Sequence, residues 1–337
     1  MKSLIDLHLH IDGSLPYATV KKLCRAHGLP DYTHAQLFEK MSVPASCHNL
    51  NEYLQKFAFP LTLMQTRSDL RVIVRELLQE LKGQGLVYAE LRFAPQKHTS
   101  QGLTQADAVS AALAGLADFY DWQRANPAGP DLHSGLILCL MRIPGNDREN
   151  AETLRVAKQF LGRGVIGLDL AGAEIPALPN RAYAPFFAQV REWGIPYTIH
   201  AGEAMGPDSI REALALGAKR IGHGIRCRED RDLVKRLADE GITLECCATS
   251  NLNTKVFDAY TEYPIKGLLH CGVRATLNTD NMSVSNTNLP REYARLEKLT
   301  GLNRIEEAEL YVNAAKAAFC SEAERVRLLK LGELAWA

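Results

Sequence analysis

Four apolar runs of strand length, far apart in the chain, end in residues able to ligate a metal. They are His8 and His10 in LIDLHLHIDG, His200 in YTIHAGE, His223 in RIGHG and Asp280 in TLNTD. Side chains alternate faces along a strand, so His8 and His10 point the same way and can grip one ion together. Ligands collected from separate strand ends are what parallel strands deliver to one rim of a closed barrel. Imidazoles plus a carboxylate, with no thiolate, describe an open catalytic zinc or iron site. His27, His34, His48, His98, His133 and His270 have no second ligand at a useful spacing and stay unassigned.

The rest of the chain fits that barrel. Strand-like runs recur at Ser3–His10, Val87–Phe93, Leu136–Met141, Val165–Leu170, Tyr197–His200, Arg220–His223, Thr243–Cys246 and Val273–Asn278. Helical patterns at Ser68–Lys82, Thr104–Ala125, Asp147–Leu161, Arg181–Trp193, Pro207–Leu216 and Asp230–Glu240 fill the intervals, many opened by a capping residue. This alternation predicts an α/β fold, a (β/α)8 TIM barrel with extra helices after strand 1 and at the C-terminus. Residues 1–337 read as a single barrel domain, with 12–67 as a helical lid insertion and 289–337 as C-terminal helices. Within the insertion, helical patterns fall at Tyr17–His27 and Asn49–Thr66. Leu50, Tyr53, Leu54 and Phe57 share one helical face there, behind a joint at Pro44. That face suits packing on the barrel and a substrate gate equally.

Lysine plus arginine balance aspartate plus glutamate, 39 against 39, so no strong field draws the chain to nucleic acid or an anionic membrane. A small, weakly charged substrate fits better. The strand beginning near Leu4 leaves no room for a signal peptide, and no apolar stretch reaches the roughly 20 residues of a spanning helix. A cytoplasmic protein is expected. The 8 cysteines form no Cys-x-x-Cys pair, and adjacent Cys246 and Cys247 suit neither bridging each other nor chelating one zinc. They read as reduced, mostly buried thiols.

Glu203 stands three residues after a candidate ligand in His200-Ala-Gly-Glu203, near an ion without having to hold it, which suits a general acid or base. Water on zinc has its pKa lowered toward about 7, so such a partner has a proton to move at neutral pH. His223, between two glycines, is either a further ligand or a base beside the metal-bound water; the second role is preferred, because His8, His10, His200 and Asp280 already make a ligand set. Strand four ends in Leu168-Asp169-Leu170-Ala171-Gly172 with no lysine to bridge two metals, which favours one ion. The His-x-Glu and Pro-Cys-x-x-Cys elements of cytidine-deaminase zinc sites are absent.

The segments HLHIDGSL, YAELRFAP, GLDLAG, HAGE, RIGHG, CATSN and NTDN, in this order between residues 8 and 281, resemble the adenosine deaminase family of barrel metalloenzymes. The resemblance implies hydrolytic removal of the 6-amino group of a purine nucleoside, with one zinc on His8, His10, His200 and Asp280. It implies Glu203 as the proton donor to N1. It also implies His223 as the residue that orients the hydroxide and stabilises the tetrahedral intermediate. Asp12 would meet the ribose, since relatives acting on adenine or aminofutalosine typically carry glutamate there. Gly172 would offer its backbone N–H to N3, and Ser250 with Asn251 would shape the rim after strand seven. The chain departs from the pattern with Ala173, with Ala248 for a usual proline, and with Asn281 for a usual second aspartate. Asn281 falls at a substrate contact, so a sibling activity on adenine, a modified adenine nucleoside or AMP is the alternative. For a phosphorylated substrate, Arg92, Arg142 and Lys97 are the candidate cations, Arg92 being more simply structural.

One divalent metal per chain is expected, because the ligands suffice for one ion and no bridging lysine follows strand four. Metal analysis of purified protein should return close to one equivalent; two equivalents, or activity untouched by prolonged chelation, would rule out a mononuclear site.

Overall fold

The computed structural model describes residues 2–44 and 46–336. All the expected strands form: β1 (Leu4–His10), β2 (Leu86–Phe93), β3 (His133–Met141), β4 (Val165–Ala171), β5 (Ile199–Ala201), β6 (Arg220–His223), β7 (Thr243–Cys246) and β8 (Arg274–Leu277). Each pairs in parallel with its neighbour in sequence, giving the ladders β1-β2-β3-β4 and β5-β6-β7-β8. Main-chain hydrogen bonds join the two ladders at both seams. Leu168 N–H donates to the Pro196 carbonyl at 2.9 Å and Thr198 N–H to the Leu168 carbonyl at 3.0 Å. At the other seam His10 N–H donates to the Asp280 carbonyl at 2.7 Å, and Asp280 N–H to the His8 carbonyl at 2.8 Å. The sheet is therefore closed into a barrel, and the second seam lies between residues expected to share a metal.

The strand period sorts the side chains. Ile5, Leu7 and Leu9 of β1 join the apolar layer beneath the helices, while Asp6 and His8 are buried among polar partners. Glu90, Arg92, Asp169, Arg220 and Glu245 are likewise buried inside the ring. The C-terminal chain closes the floor: Phe319 N–H donates to Glu90 Oε1 at 2.5 Å, and the Arg220 guanidinium lies 3.8 Å from the Phe319 ring centroid.

Helices Arg67–Gly83 and Gln105–Ala125 start behind Thr66 and Thr104, whose hydroxyls accept from the amides of Asp69 and Asp107. The helix expected at Asn49–Thr66 is instead broken into Leu50–Leu54, a 3₁₀ turn and Ala58–Thr62. Pro60 has no N–H to donate one turn back, so a continuous helix would lose a bond there. Helices His34–Met41, Ala248–Asn253 and Ile265–His270 were not anticipated; the first carries a Thr33–Gln36 capping box, and the other two span only 6 residues each. The tail is helical over Leu289–Thr300, Arg304–Ala317 and Glu322–Trp336. No helix among the described residues is long and apolar enough to cross a membrane.

Two helices owe their close approach to one glycine. A Cβ at Gly115 would fall 2.4 Å from the Arg71 carbonyl oxygen and 2.9 Å from Val74 Cβ. Overpacking costs about 1–3 kcal/mol, whereas replacing glycine by alanine inside a helix returns about 0.5–1 kcal/mol. Gly115→Ala should therefore lower stability by about 1–2 kcal/mol, read as a lower denaturant midpoint at unchanged slope. A raised midpoint would mean that the helices have slack at this contact.

Candidate active site

The residues singled out in the sequence meet at the C-terminal rim of the barrel. One donor atom from each of His8, His10, His200 and Asp280 lies within 4.8 Å of the others. Asp280 Oδ1 is 3.4 Å from His8 Nε2 and 3.5 Å from His10 Nε2, and the Nε2 atoms of His10 and His200 are 3.3 Å apart. His8 Nε2 is buried with no hydrogen-bond partner. Lone pairs converging this closely repel unless a cation lies between them, and a neutral imidazole is the ligating form. Burial holds His10 well below the ordinary imidazole range and lowers His200, despite the carboxylates that oppose it. The donor set fits a small divalent metal.

The other nitrogens of two of these rings are held from behind. His8 Nδ1 lies 2.8 Å from Glu245 Oε2, and His200 Nδ1 lies 2.9 Å from Asp169 Oδ2. A proton on each Nδ1 donates to its carboxylate, which leaves Nε2 free to ligate. Arg92 spans both carboxylates, with Nη1 2.9 Å from Asp169 and Nη2 3.0 Å from Glu245. Asp169 and Glu245 were not among the residues assigned to the site from sequence, and Arg92 was read there only as a candidate phosphate cation or a structural residue, although charged residues inside strands such as GLDL and TLEC were the available signal.

Backbone geometry turns two side chains toward the rim. His223 and Asp280 have φ of 59° and 60°, a region non-glycine residues seldom occupy. Gly222 lets β6 pass close to His200 on β5, since a Cβ there would sit 3.1 Å from His200 Cα. Asn251 Nδ2 lies 3.2 Å from His223 Nδ1, while the Tyr263 hydroxyl donates to Asn251 Oδ1 at 3.2 Å. With Nδ1 accepting, neutral His223 carries its proton on Nε2, which lies 3.6 Å from Glu203 Oε2. Burial keeps His223 well below the ordinary imidazole range. Burial also pushes Glu203 well above the usual carboxylate range, reinforced by the charge of Asp280.

Above these groups is a cavity of about 310 Å³ lined by Asp12, Gly172, Glu203, His223, Asp280 and Asn281 among others. Asp12 Oδ1 is buried there without a partner, and burial raises its carboxyl to about 7. Gly172 has φ of 93°, and a side chain there would press on the Arg142 backbone at 3.3 Å. Asn281 is buried against Gly13, with its Oδ1 1.8 Å from where a Gly13 Cβ would stand. Ser250 is buried beside Asn251 without lining the cavity. Leu50, Tyr53, Leu54 and Phe57 line the cavity and pack with Val43, Cys47 and Val284 in a small cluster apart from the main core rather than on the barrel core itself. Of the candidate phosphate-binding cations, Arg92 is sealed inside the barrel and Arg142 is bound to the Gly172 carbonyl, the His200 carbonyl and Asn180. Lys97 is exposed at the cavity.

The model of the family described as adenosine deaminase matches residues 3–332. An adenosine deaminase of Haemophilus ducreyi is 45% identical over 332 residues, covering 97% of this chain and 94% of the relative. One of Clostridium botulinum is 36% identical over 333 residues, covering 98% of each chain. Among solved structures, the adenine deaminase of Arthrobacter aurescens superposes with a TM-score of 0.87 at 26% identity, covering 99% of both chains. The matched span runs from β1 through the C-terminal helices and contains every group described at the rim; the chain belongs to the adenosine deaminase family.

Proposed function

We propose that this chain hydrolyses adenosine and 2′-deoxyadenosine to the corresponding inosine and ammonia in purine salvage. The observation that carries the reading is a buried carboxyl, Glu203, lying 3.6 Å from His223 Nε2 beside the four-residue donor cluster. We take the metal to be one zinc, held by His8, His10, His200 and Asp280, an N/O donor set of the open catalytic kind. When bound, it supplies a Lewis acid that makes water nucleophilic at neutral pH.

The chain's own groups then account for the proton traffic. As the water oxygen adds to C6, Glu203 gives its proton to N1, so the ring nitrogen gains a bond to hydrogen rather than a negative charge. His223 donates its Nε2–H toward the oxygen at C6. A neutral imidazole protonated at Nε2 has no lone pair there, so His223 orients and stabilises rather than acting as the base. Glu203, now a carboxylate, takes one proton of the added water and passes it to the departing nitrogen, then takes the second as C6 becomes a carbonyl, which restores its acid form. The C6–N6 bond breaks, ammonia leaves, and C6 keeps the oxygen.

Asp12 supports a nucleoside over a free base, because its partnerless oxygen calls for a donor such as a ribose hydroxyl. It also weighs against a nucleotide: of the three candidate cations only Lys97 is unengaged, and it shares the cavity with the Asp12 carboxyl. Gly172 is taken to bring its backbone to the ring, and Asn281 to donate to N7. Unpaired thiols, with no disulfide among the described residues, suit a reducing, cytoplasmic setting.

Ammonia release should be fastest with adenosine and 2′-deoxyadenosine, and at least about tenfold slower with adenine and AMP, for which the buried Asp12 acceptor goes unpaired or faces a like charge. In the same assay 7-deazaadenosine should lose roughly 5- to 150-fold in kcat/KM. Asn281→Ala should lower adenosine turnover and shrink that discrimination. Equal discrimination in both proteins would take Asn281 away from N7, and preference for AMP would overturn the nucleoside reading.

Glu203→Gln keeps the shape of the side chain and loses the acidic proton. Turnover should fall by about 10²–10⁴-fold with metal content unchanged. A variant keeping more than about a third of wild-type kcat would put the acid elsewhere.

A further inference from the structure

Glu174, two residues past Gly172 in the loop after β4, is buried and reaches across to the loop after β5. Its Oε2 accepts from the amides of Glu203 at 2.8 Å, Ala204 at 2.8 Å and Met205 at 3.1 Å. Its Oε1 accepts from the amide of Gly202 at 3.0 Å and from the Ser209 hydroxyl. Consecutive amides aim at one carboxylate only if the chain curls around it, and Gly202 at φ of 69° begins that curl. The same loop runs into helix Pro207–Ala215, whose first turn carries the Ser209 hydroxyl that donates to Glu174.

The clamp is anchored from behind. Asn180 Nδ2 donates to the Ser209 carbonyl at 3.0 Å, and Asn180 Oδ1 accepts from Arg142 Nη2 at 2.7 Å. Arg142 also donates to the Gly172 carbonyl at 3.0 Å and to the His200 carbonyl. One continuous set of bonds thus joins the loop after β4, the loop after β5 and the start of the next helix. Glu203 hangs from the middle of the curl, its amide on Glu174 and its carboxyl 3.6 Å from His223 Nε2.

We propose that Glu174 is a positioning residue for Glu203: its carboxylate gathers the amides of residues 202–205 and so fixes the direction from which the Glu203 carboxyl meets the substrate. The inference rests on the reading of Glu203 as the proton donor. A carboxylate is needed because every lone pair in use faces an N–H or O–H. A carboxamide turned either way places an NH₂ group against one of them. Displacement of a catalytic group by about 1 Å costs on the order of 10²-fold in rate without emptying the pocket.

The test is a double-mutant cycle on the metal-loaded enzyme. Glu174→Gln should lower kcat by roughly 10- to 100-fold. KM, the inhibition constant of inosine and the metal content should stay within about threefold, since Glu174 touches neither ligand nor metal. In a Glu203→Gln background the same substitution should cost less than about threefold, because the group it positions is already disabled. Retention of more than about half of kcat, or the same fold loss in both backgrounds, would overturn the proposal; so would inosine binding that collapses together with kcat. If Glu174→Gln does not fold, Ser209→Ala removes one donor and keeps the amides. It should then cost about two- to fivefold in wild type and nothing beside Glu203→Gln, an equal loss in both again overturning the proposal. Glu203→Gln alone judges the acid assignment: full turnover there rejects that reading, whereas an additive Glu174 effect on a crippled Glu203→Gln rejects the positioning alone.

Discussion

A single guanidinium inside the barrel organises the rim. Arg92 is buried, with Nη1 on Asp169 and Nη2 on both Glu245 and the Leu7 carbonyl. Each of those carboxylates holds the Nδ1 of a histidine, so the planar fork of one arginine sets the separation of His8 and His200. Removing charges from water is costly, and burial works against all of these groups. Arg92 and Arg220 nonetheless keep Glu245 well below the carboxylate range, and His200 with Arg92 keeps Asp169 below it. Losing one member would strand a buried charge, a cost of about 3–5 kcal/mol. A lysine could not serve in place of Arg92, because a point charge does not fix two carboxylates at a set angle.

Strain is concentrated at the same level of the barrel. The left-handed backbone of His223 and Asp280 costs each residue of order 1–3 kcal/mol. The surroundings offset it through the Asp280 main chain, which completes the barrel seam with His8 and His10, and through the Asn251 bond to His223. Closure of the sheet and placement of a candidate ligand are thus one event. This also explains why β8 ends at Leu277: beyond it the chain leaves regular strand geometry to present Asp280.

The barrel was legible because its signals are local. Strands Arg220–His223 and Thr243–Cys246 each follow a helix closed by a glycine, Gly217 and Gly241, and their ends were read to the residue. His8 and His10 were readable as a pair from strand alternation alone. What could not be read were groups that acquire meaning only across the ring. Glu174 lies 28 to 31 residues from the amides it gathers, and Arg92 is 153 from Glu245. A charged residue in an apolar strand says that something must pair with it without saying what. Helix Ala248–Asn253 was missed for a related reason: buried on the rim, its first residues carry no amphipathic stripe.

The insertion after β1 is tied to the loop that follows Asp280. Val43 N–H donates to the Val284 carbonyl at 2.9 Å, the Ser42 hydroxyl to the Ser283 carbonyl at 2.5 Å, and the Tyr53 and Ser285 hydroxyls are 2.7 Å apart. The apolar wall of the cavity and the segment bearing Asp280 and Asn281 are therefore one mechanical unit, although more than two hundred residues of chain separate them. For anyone exchanging pieces between relatives to alter the pocket, the two segments form a matched set. A transplanted wall brought in without its own 283–285 would sit on foreign hydrogen-bond partners, and the mismatch would be felt first at the rim that presents Asp280 rather than at the surface where the graft was made.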